Sequence, residues 1–200
     1  MIRIGLVGEI GSGKTFVGRL FKYPVFNADE EIVKIYRNNK KCFKKLNKKF
    51  PKYIKHFPID KFEIKKILNK KNLKIISKIT HPYVRSSLKK FLEKNSNAKY
   101  VVLDIPLLVE NKLYKKKDVL VYIKTQKKII LQRLKKRGNY NKNVIKILKS
   151  QQLDKYKKIK LCNFVIYNSF DKINILKQVK KIKKKINVWN NSRYRNYRSK

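Results

Sequence analysis

Cysteine, histidine, alanine, glycine and acidic residues are all scarce in this chain. Two of its 200 residues are cysteine, Cys42 and Cys162, and two are histidine, His56 and His81. The cysteines are isolated and lack the spacing of a metal site. They predict a reduced, cytosolic protein without structural disulfides. Two histidines exclude a multi-histidine metal centre. No apolar run approaches the roughly 20 residues that cross a bilayer. Met1 leads straight into a strand pattern, so no signal peptide is expected. A hydrophobic content of 42% is enough to bury a core, and the length suits one domain or one core carrying insertions.

Acidic residues number 12 against 55 lysines and arginines, a formal net charge of +43. Such an excess invites a nucleic-acid partner, but the distribution argues otherwise. The lysines run from Lys22 to Lys200 without forming a stripe. Asn, Ile, Tyr and Phe are also abundant, whereas Ala28 and Ala98 are the only alanines. The enriched residues share A/T-rich codons and alanine does not. Genome base bias that coats solvent faces with lysine accounts for this pattern, so no nucleic-acid partner is expected. The charge should still attract anionic substrates and penalise the fold at low ionic strength.

What glycine there is falls largely in one place. Gly8 to Thr15 reads G-E-I-G-S-G-K-T. It lies between the apolar run Ile2–Val7 and a helical pattern starting at Lys14, the context that a phosphate-binding loop requires. Gly8, Gly11 and Gly13 let backbone N–H groups turn inward around an anion. The following helix adds its positive end. Lys14 can reach terminal phosphates, and the Thr15 hydroxyl can hold Mg²⁺.

Further strands are expected at Pro24–Asn27, Tyr100–Asp104, Val119–Ile123 and Phe164–Tyr167, each apolar along most of its length. Helical patterns cover Lys14–Lys22, Thr125–Arg137 and Asp171–Ile186. Strand and helix alternate, which predicts an α/β fold with a parallel sheet sandwiched by helices. Between Asn27 and Tyr100 there is no clear strand. Helical stretches at Glu31–Arg37, Asp60–Leu68 and Leu73–Leu92 read as an insertion over the sheet's C-terminal edge, where ligands bind. A second insertion, 137–160, opens with Gly138, Asn139 and Asn141 and reads as a mobile lid. Residues 188–200 are polar and should fray.

Several residues could carry chemistry. Asp29 ends the second strand region, where it could orient or deprotonate an acceptor hydroxyl, or cap the helix over Glu30–Arg37. His81 and Arg85 are four apart, fit for an anion clamp on one helical face, with Pro82 suited to a first helical turn. A capped helix start with solvated side chains is the competing reading. Asp104 ends an apolar run, as a second Mg²⁺-site acid does, and Pro106-Leu107-Leu108 could form a pocket wall or a plain buried turn. Arg133 and Arg137, again four apart, could stabilise phosphoryl charge through a planar fork that lysine lacks, or be solvated helix charges.

In this order the pieces resemble the dephospho-coenzyme A kinase family, over residues 1–187. The carrying motifs are Gly8–Thr15, Ala28-Asp29, His81–Arg85, Asp104–Glu110 continued by Asn111–Tyr114, and Arg133–Arg137. A late stretch from Gln152 through Lys158 to Phe164–Ser169 matches in spacing. The resemblance implies a three-layer P-loop kinase fold with a five-stranded parallel sheet. Its nucleotide-binding core would comprise 1–28, 97–136 and 161–187, its helical acceptor-binding insertion 29–96 and its lid 137–160. It also implies transfer of the ATP γ-phosphoryl group to the ribose 3′-hydroxyl of dephospho-CoA, with Mg²⁺.

By motif match, Gly11, Ser12, Gly13, Lys14, Thr15, Phe16, Arg133 and Arg137 would serve ATP. Asp29, His81, Pro82, Arg85, Pro106 and Leu107 would serve the acceptor. Catalysis would fall to Lys14, Asp29 and Arg137, and the metal to Thr15 and Asp104. Three departures stand out: Asn27 where the family commonly has aspartate, Phe16 where it has a small polar residue, and Gly138 where it has an acid. A nucleoside monophosphate or sugar kinase with the same core is one alternative. A polyanion-binding protein using Arg193, Tyr194, Arg195, Tyr197 and Arg198 to stack on bases is another.

Overall fold

Period-two burial runs through the central strand. β1 (Ile2–Gly8) buries Ile4 and Leu6 on one face and Val7 on the other, as a strand covered on both sides must. The computed structural model describes residues 1–136 and 141–198, with side chains through residue 189. Four further strands join β1: β2 (Val25–Asn27), β3 (Tyr100–Asp104), β4 (Val119–Lys124) and β5 (Phe164–Tyr167). All pairings are parallel, in the order β2-β3-β1-β4-β5. The chain leaves β1 for the far edge and returns to β4 on the other side. The loop after β1 therefore sits where the winding direction reverses, the position that binds ligands in open α/β sheets.

One face of the sheet is covered by α1 (Lys14–Leu20) and α9 (Lys172–Arg198). Val17 from α1 and Ile175, Val179, Ile182 and Ile186 from α9 meet Ile4, Leu6, Val121 and Ile166. The opposite face packs Val7, Leu103, Leu120 and Tyr122 against Leu108 and Val109 of the turn after β3. Leu88 and Phe91 of α5 (Lys70–Lys94) join them, as does Ile159 of α8 (Lys155–Leu161).

A separate apolar cluster joins α2 (Ala28–Asn38), α3 (Lys40–Lys49), α4 (Lys61–Lys66) and the first half of α5, through Ile35, Cys42, Leu46, Ile64 and Ile76. Burial pushes the Cys42 thiol up to about 11 and that of Cys162 up to about 12. Both are free thiols, inert at neutral pH. α6 (Lys127–Lys136) follows β4, and α7 (Lys142–Ser150) precedes α8.

Three elements differ from expectation. α3 has only Cys42, Phe43 and Leu46 among lysines and polar residues, a stripe too thin to register in the sequence. Pro82 lies in the interior of α5, not in a first turn. The tertiary packing of Ile76 and Thr80 before it and of Leu88 and Phe91 after it outweighs the lost backbone bond. α9 is helical through Arg198, beyond the Asp171–Ile186 pattern read from the sequence. Trp189 prolongs the apolar stripe of Ile182 and Ile186, and its ring lies 5.3 Å from that of Phe164 on β5. Among the described residues no helix is long and apolar enough to cross a membrane.

Because Trp189 is tied to the edge strand, Trp189→Ala should lower the melting temperature by roughly 3–6 °C. An unchanged thermal denaturation midpoint would show that α9 contributes nothing beyond Ile186.

Candidate active site

The site is built at the C-terminal ends of β1, β2 and β3. β2 and β3 finish in register, Asn27 beside Asp104. Asp104 is 4% exposed. Its Oδ2 accepts the Thr15 hydroxyl at 2.5 Å and the Asn27 amide at 3.2 Å. One carboxylate thus joins the loop after β1 to the ends of two strands. Burial raises its pKa from the ordinary carboxylate value, opposed by the Thr15 hydrogen bond and then by the Lys14 charge.

Asn27 uses its other side-chain atom to cap α2. Its Oδ1 accepts the Glu30 N–H at 3.1 Å. The cap is therefore Asn27 and not Asp29, which corrects the alternative role proposed for Asp29. It also gives a physical reason for the amide at position 27. The amide donates to the buried Asp104 carboxylate, where an ionised carboxylate would repel it. Asp29 occupies the first turn of α2, on the surface, where the helix dipole favours a negative charge. Its charge is felt at Lys14.

Lys14 opens α1, and its ammonium donates to the Gly8 and Glu9 carbonyls at 3.1 Å each. Burial lowers its pKa from the ordinary lysine value. The Asp104 charge opposes this, the Lys158 charge adds to it, and Asp29 and Glu110 oppose it. The lysine rests on carbonyls of its own loop, which a phosphate chain would replace as acceptor.

The rest of the loop is held from behind. The Ser12 carbonyl accepts from the Thr125 hydroxyl at 2.9 Å and from the Asn168 amide at 2.7 Å. Gly13 has φ +85°, and a Cβ on it would overlap the Asn168 amide and the Phe170 ring. Gly11 lies against Ile130 and Leu134 of α6. The loop is thereby wedged between α6 and the turn after β5. That turn is itself tight: the Phe170 N–H donates to Asn168 Oδ1 at 2.9 Å with φ +64° at Phe170. The Phe170 ring stacks on Phe16 at 6.0 Å, and the Arg133 guanidinium lies over it at 3.7 Å. Phe16 and Arg133 are thus brought to the loop mouth.

The acceptor candidates lie elsewhere. His81, Pro82 and Arg85 lie on α5 with exposed side chains. No hydrogen bond or ion pair among the described residues links them to Lys14, Thr15 or Asp104. Desolvation, and then the Arg85 charge, hold His81 below its ordinary value and favour its neutral form. Pro106 is exposed and Leu107 half-buried with φ +57°, whereas Leu108 and Val109 turn into the core. Arg137 and Gly138 lie outside the described residues, as do the side chains of Arg193, Tyr194, Arg195, Tyr197 and Arg198. Thr125, Asn168 and Phe170 were missed as site residues. Asn168 stood within a matched motif, but nothing in its spacing assigned it to the loop.

The family model described as dephospho-CoA kinase matches residues 2–173. The chain belongs to the dephospho-CoA kinase family. The dephospho-CoA kinase of Wolbachia sp. subsp. Brugia malayi is 34% identical over 90% of this chain and 95% of that protein. That of Ehrlichia canis is 30% identical over 94% and 97%. In structure, the chain is similar to TT1252 from Thermus thermophilus, with TM-score 0.74 and 25% identity over 90% of this chain and 95% of that one. Dephospho-CoA kinase from Campylobacter jejuni shares the fold at TM-score 0.62, with 22% identity over 92% and 96%. The P-loop kinase fold expected from the motifs is the one observed, with β1, β3 and β5 beginning where the sequence reading put them.

Asn168→Ala removes one of two donors to the buried Ser12 carbonyl. It should destabilise the protein by about 1–3 kcal/mol in chemical denaturation. Unchanged stability would mean that Thr125 alone holds the loop.

Proposed function

We propose that this chain transfers the γ-phosphoryl group of ATP to the ribose 3′-hydroxyl of dephospho-CoA, giving CoA and ADP, the last step of CoA biosynthesis. The observation that carries this reading is the convergence of Lys14, Thr15, Asp104 and Asp29 at one sheet edge, in a chain of the dephospho-CoA kinase family.

The Gly11–Thr15 backbone cradles the phosphates. Lys14 leaves the Gly8 and Glu9 carbonyls to donate to phosphoryl oxygen. Thr15 and Asp104 offer two hard oxygens 2.5 Å apart. Among the described residues no group of three or more acids, histidines or cysteines could hold a metal. That donor set fits Mg²⁺, which takes one or two protein oxygens and keeps phosphates and waters. Bound there, Mg²⁺ supplies charge neutralisation for the phosphates.

The ribose oxygen attacks the γ-phosphorus as the bond to the β–γ bridging oxygen breaks. ADP leaves, and the hydroxyl proton passes to Asp29. Little covalent chemistry is asked of the protein: orientation and fixed charge lower the barrier. Arg133 and Arg137 act on the nucleotide side. Arg85, with neutral His81 and Pro82, meets the acceptor from α5, and Pro106 and Leu107 meet it from the turn after β3.

The test is an ADP-release assay with dephospho-CoA, AMP and shikimate as rival acceptors. Dephospho-CoA should exceed either rival in kcat/KM by about 10²-fold or more, and Lys14→Ala should abolish transfer while leaving the fold intact. Preference for AMP or shikimate would replace this reading with that of another small-molecule kinase.

A further inference from the structure

The lysines of this chain solvate its surface, with one exception among the described residues: Lys158 of α8, at 1% exposed, is the single fully buried one. Burying an ammonium is costly unless charge and hydrogen bonds compensate it. The compensation here is incomplete. Its ion-pair partner is Glu110 Oε1 at 3.8 Å, a charge contact too long for a hydrogen bond. That same oxygen accepts the Leu153 N–H at 3.2 Å. Among the described residues no hydrogen bond engages the three donors of the Lys158 ammonium.

Its surroundings suit an anion. α8 packs against β1 and β4, beside the strand that feeds the phosphate loop. The Lys158 charge disfavours the charged form of Lys14 across this space. The Lys14 ammonium rests on loop carbonyls and the Lys158 ammonium on a long ion pair, and the repulsion between these two like charges is one that a polyanion would relieve.

We propose that Lys158 is a second phosphate-contacting ammonium, which exchanges its long Glu110 contact for phosphoryl oxygens when the polyphosphate of ATP fills the loop beside Lys14. This rests on the reading of the chain as an ATP-dependent kinase and adds a residue to its binding machinery. A lysine that merely neutralises Glu110 would leave nucleotide affinity indifferent to its removal once Glu110 is neutral too. The two roles therefore separate in a double variant.

The experiment is calorimetric titration of ATP in magnesium buffer, and of adenosine, into wild type, Lys158→Met and Lys158→Met/Glu110→Gln. The amide introduced by Glu110→Gln keeps an oxygen for the Leu153 N–H and buries no lone charge, so the double variant carries the test even where the single one fails to fold. ATP should bind about 10–100-fold more weakly to the double variant than to wild type, with adenosine unchanged. Wild-type ATP affinity in the double variant would overturn the proposal, as would equal losses for ATP and adenosine or a wild type that does not bind ATP. The expected loss in a protein that fails to phosphorylate dephospho-CoA would leave Lys158 in its role and remove only the acceptor assignment.

Discussion

Three segments far apart in sequence meet at the Asp104 carboxylate. Thr15 reaches it from the loop after β1, Asn27 from the end of β2, and Asp104 itself terminates β3. The group is buried, so its oxygens must be satisfied by hydrogen bonds and nearby positive charge. That requirement fixes the phosphate loop laterally against the strand ends. It sets where Asn27 must stand and hence where α2 begins. With Asn27 as cap, Asp29 follows in the first turn of α2, within electrostatic reach of Lys14.

Scarcity of acid makes the placement of each carboxylate informative. In a chain with 12 acids and 55 basic residues, Asp118 pairs with Arg3 beside the sheet, and Glu110 faces Lys158. Asp60 and Asp154 cap helices. Asp104 and Asp29 flank the phosphate loop. These acids stand where a buried cation, a helix start or the loop requires one, while lysine covers much of the remaining surface. This distribution agrees with base bias acting on solvent faces and leaving constrained positions untouched.

The strands were legible because burial on both faces leaves short runs of Val, Ile and Leu with little else to confuse them. The loop was legible because its glycines and Lys14 are required by the backbone path and the ligand charge. α3 was not, since lysine hides a stripe of three apolar residues. The interior place of Pro82 depends on packing on both sides of it, which no local rule reports. Spacing alone makes Asp29 a cap and the family resemblance makes it a catalytic acid; the cap belongs to Asn27. Lys158 stood within a matched stretch, but its spacing assigned it no role, and its burial is what sets it apart from the other lysines. The Arg133–Phe170–Phe16 stack joins α6, the turn after β5 and α1, and no single segment announces it.

In the proposed mechanism Asp29 receives the ribose proton, and the helix cap that could have explained an acid there belongs to Asn27. Asp29→Asn keeps the size and hydrogen-bonding shape of the side chain and removes its basicity. The deciding measurement is the single-turnover rate of phosphoryl transfer to dephospho-CoA, with circular dichroism to verify the fold. A loss of roughly 10²–10⁴-fold with the fold intact is expected. A rate within about threefold of wild type, with chemistry limiting, would contradict it.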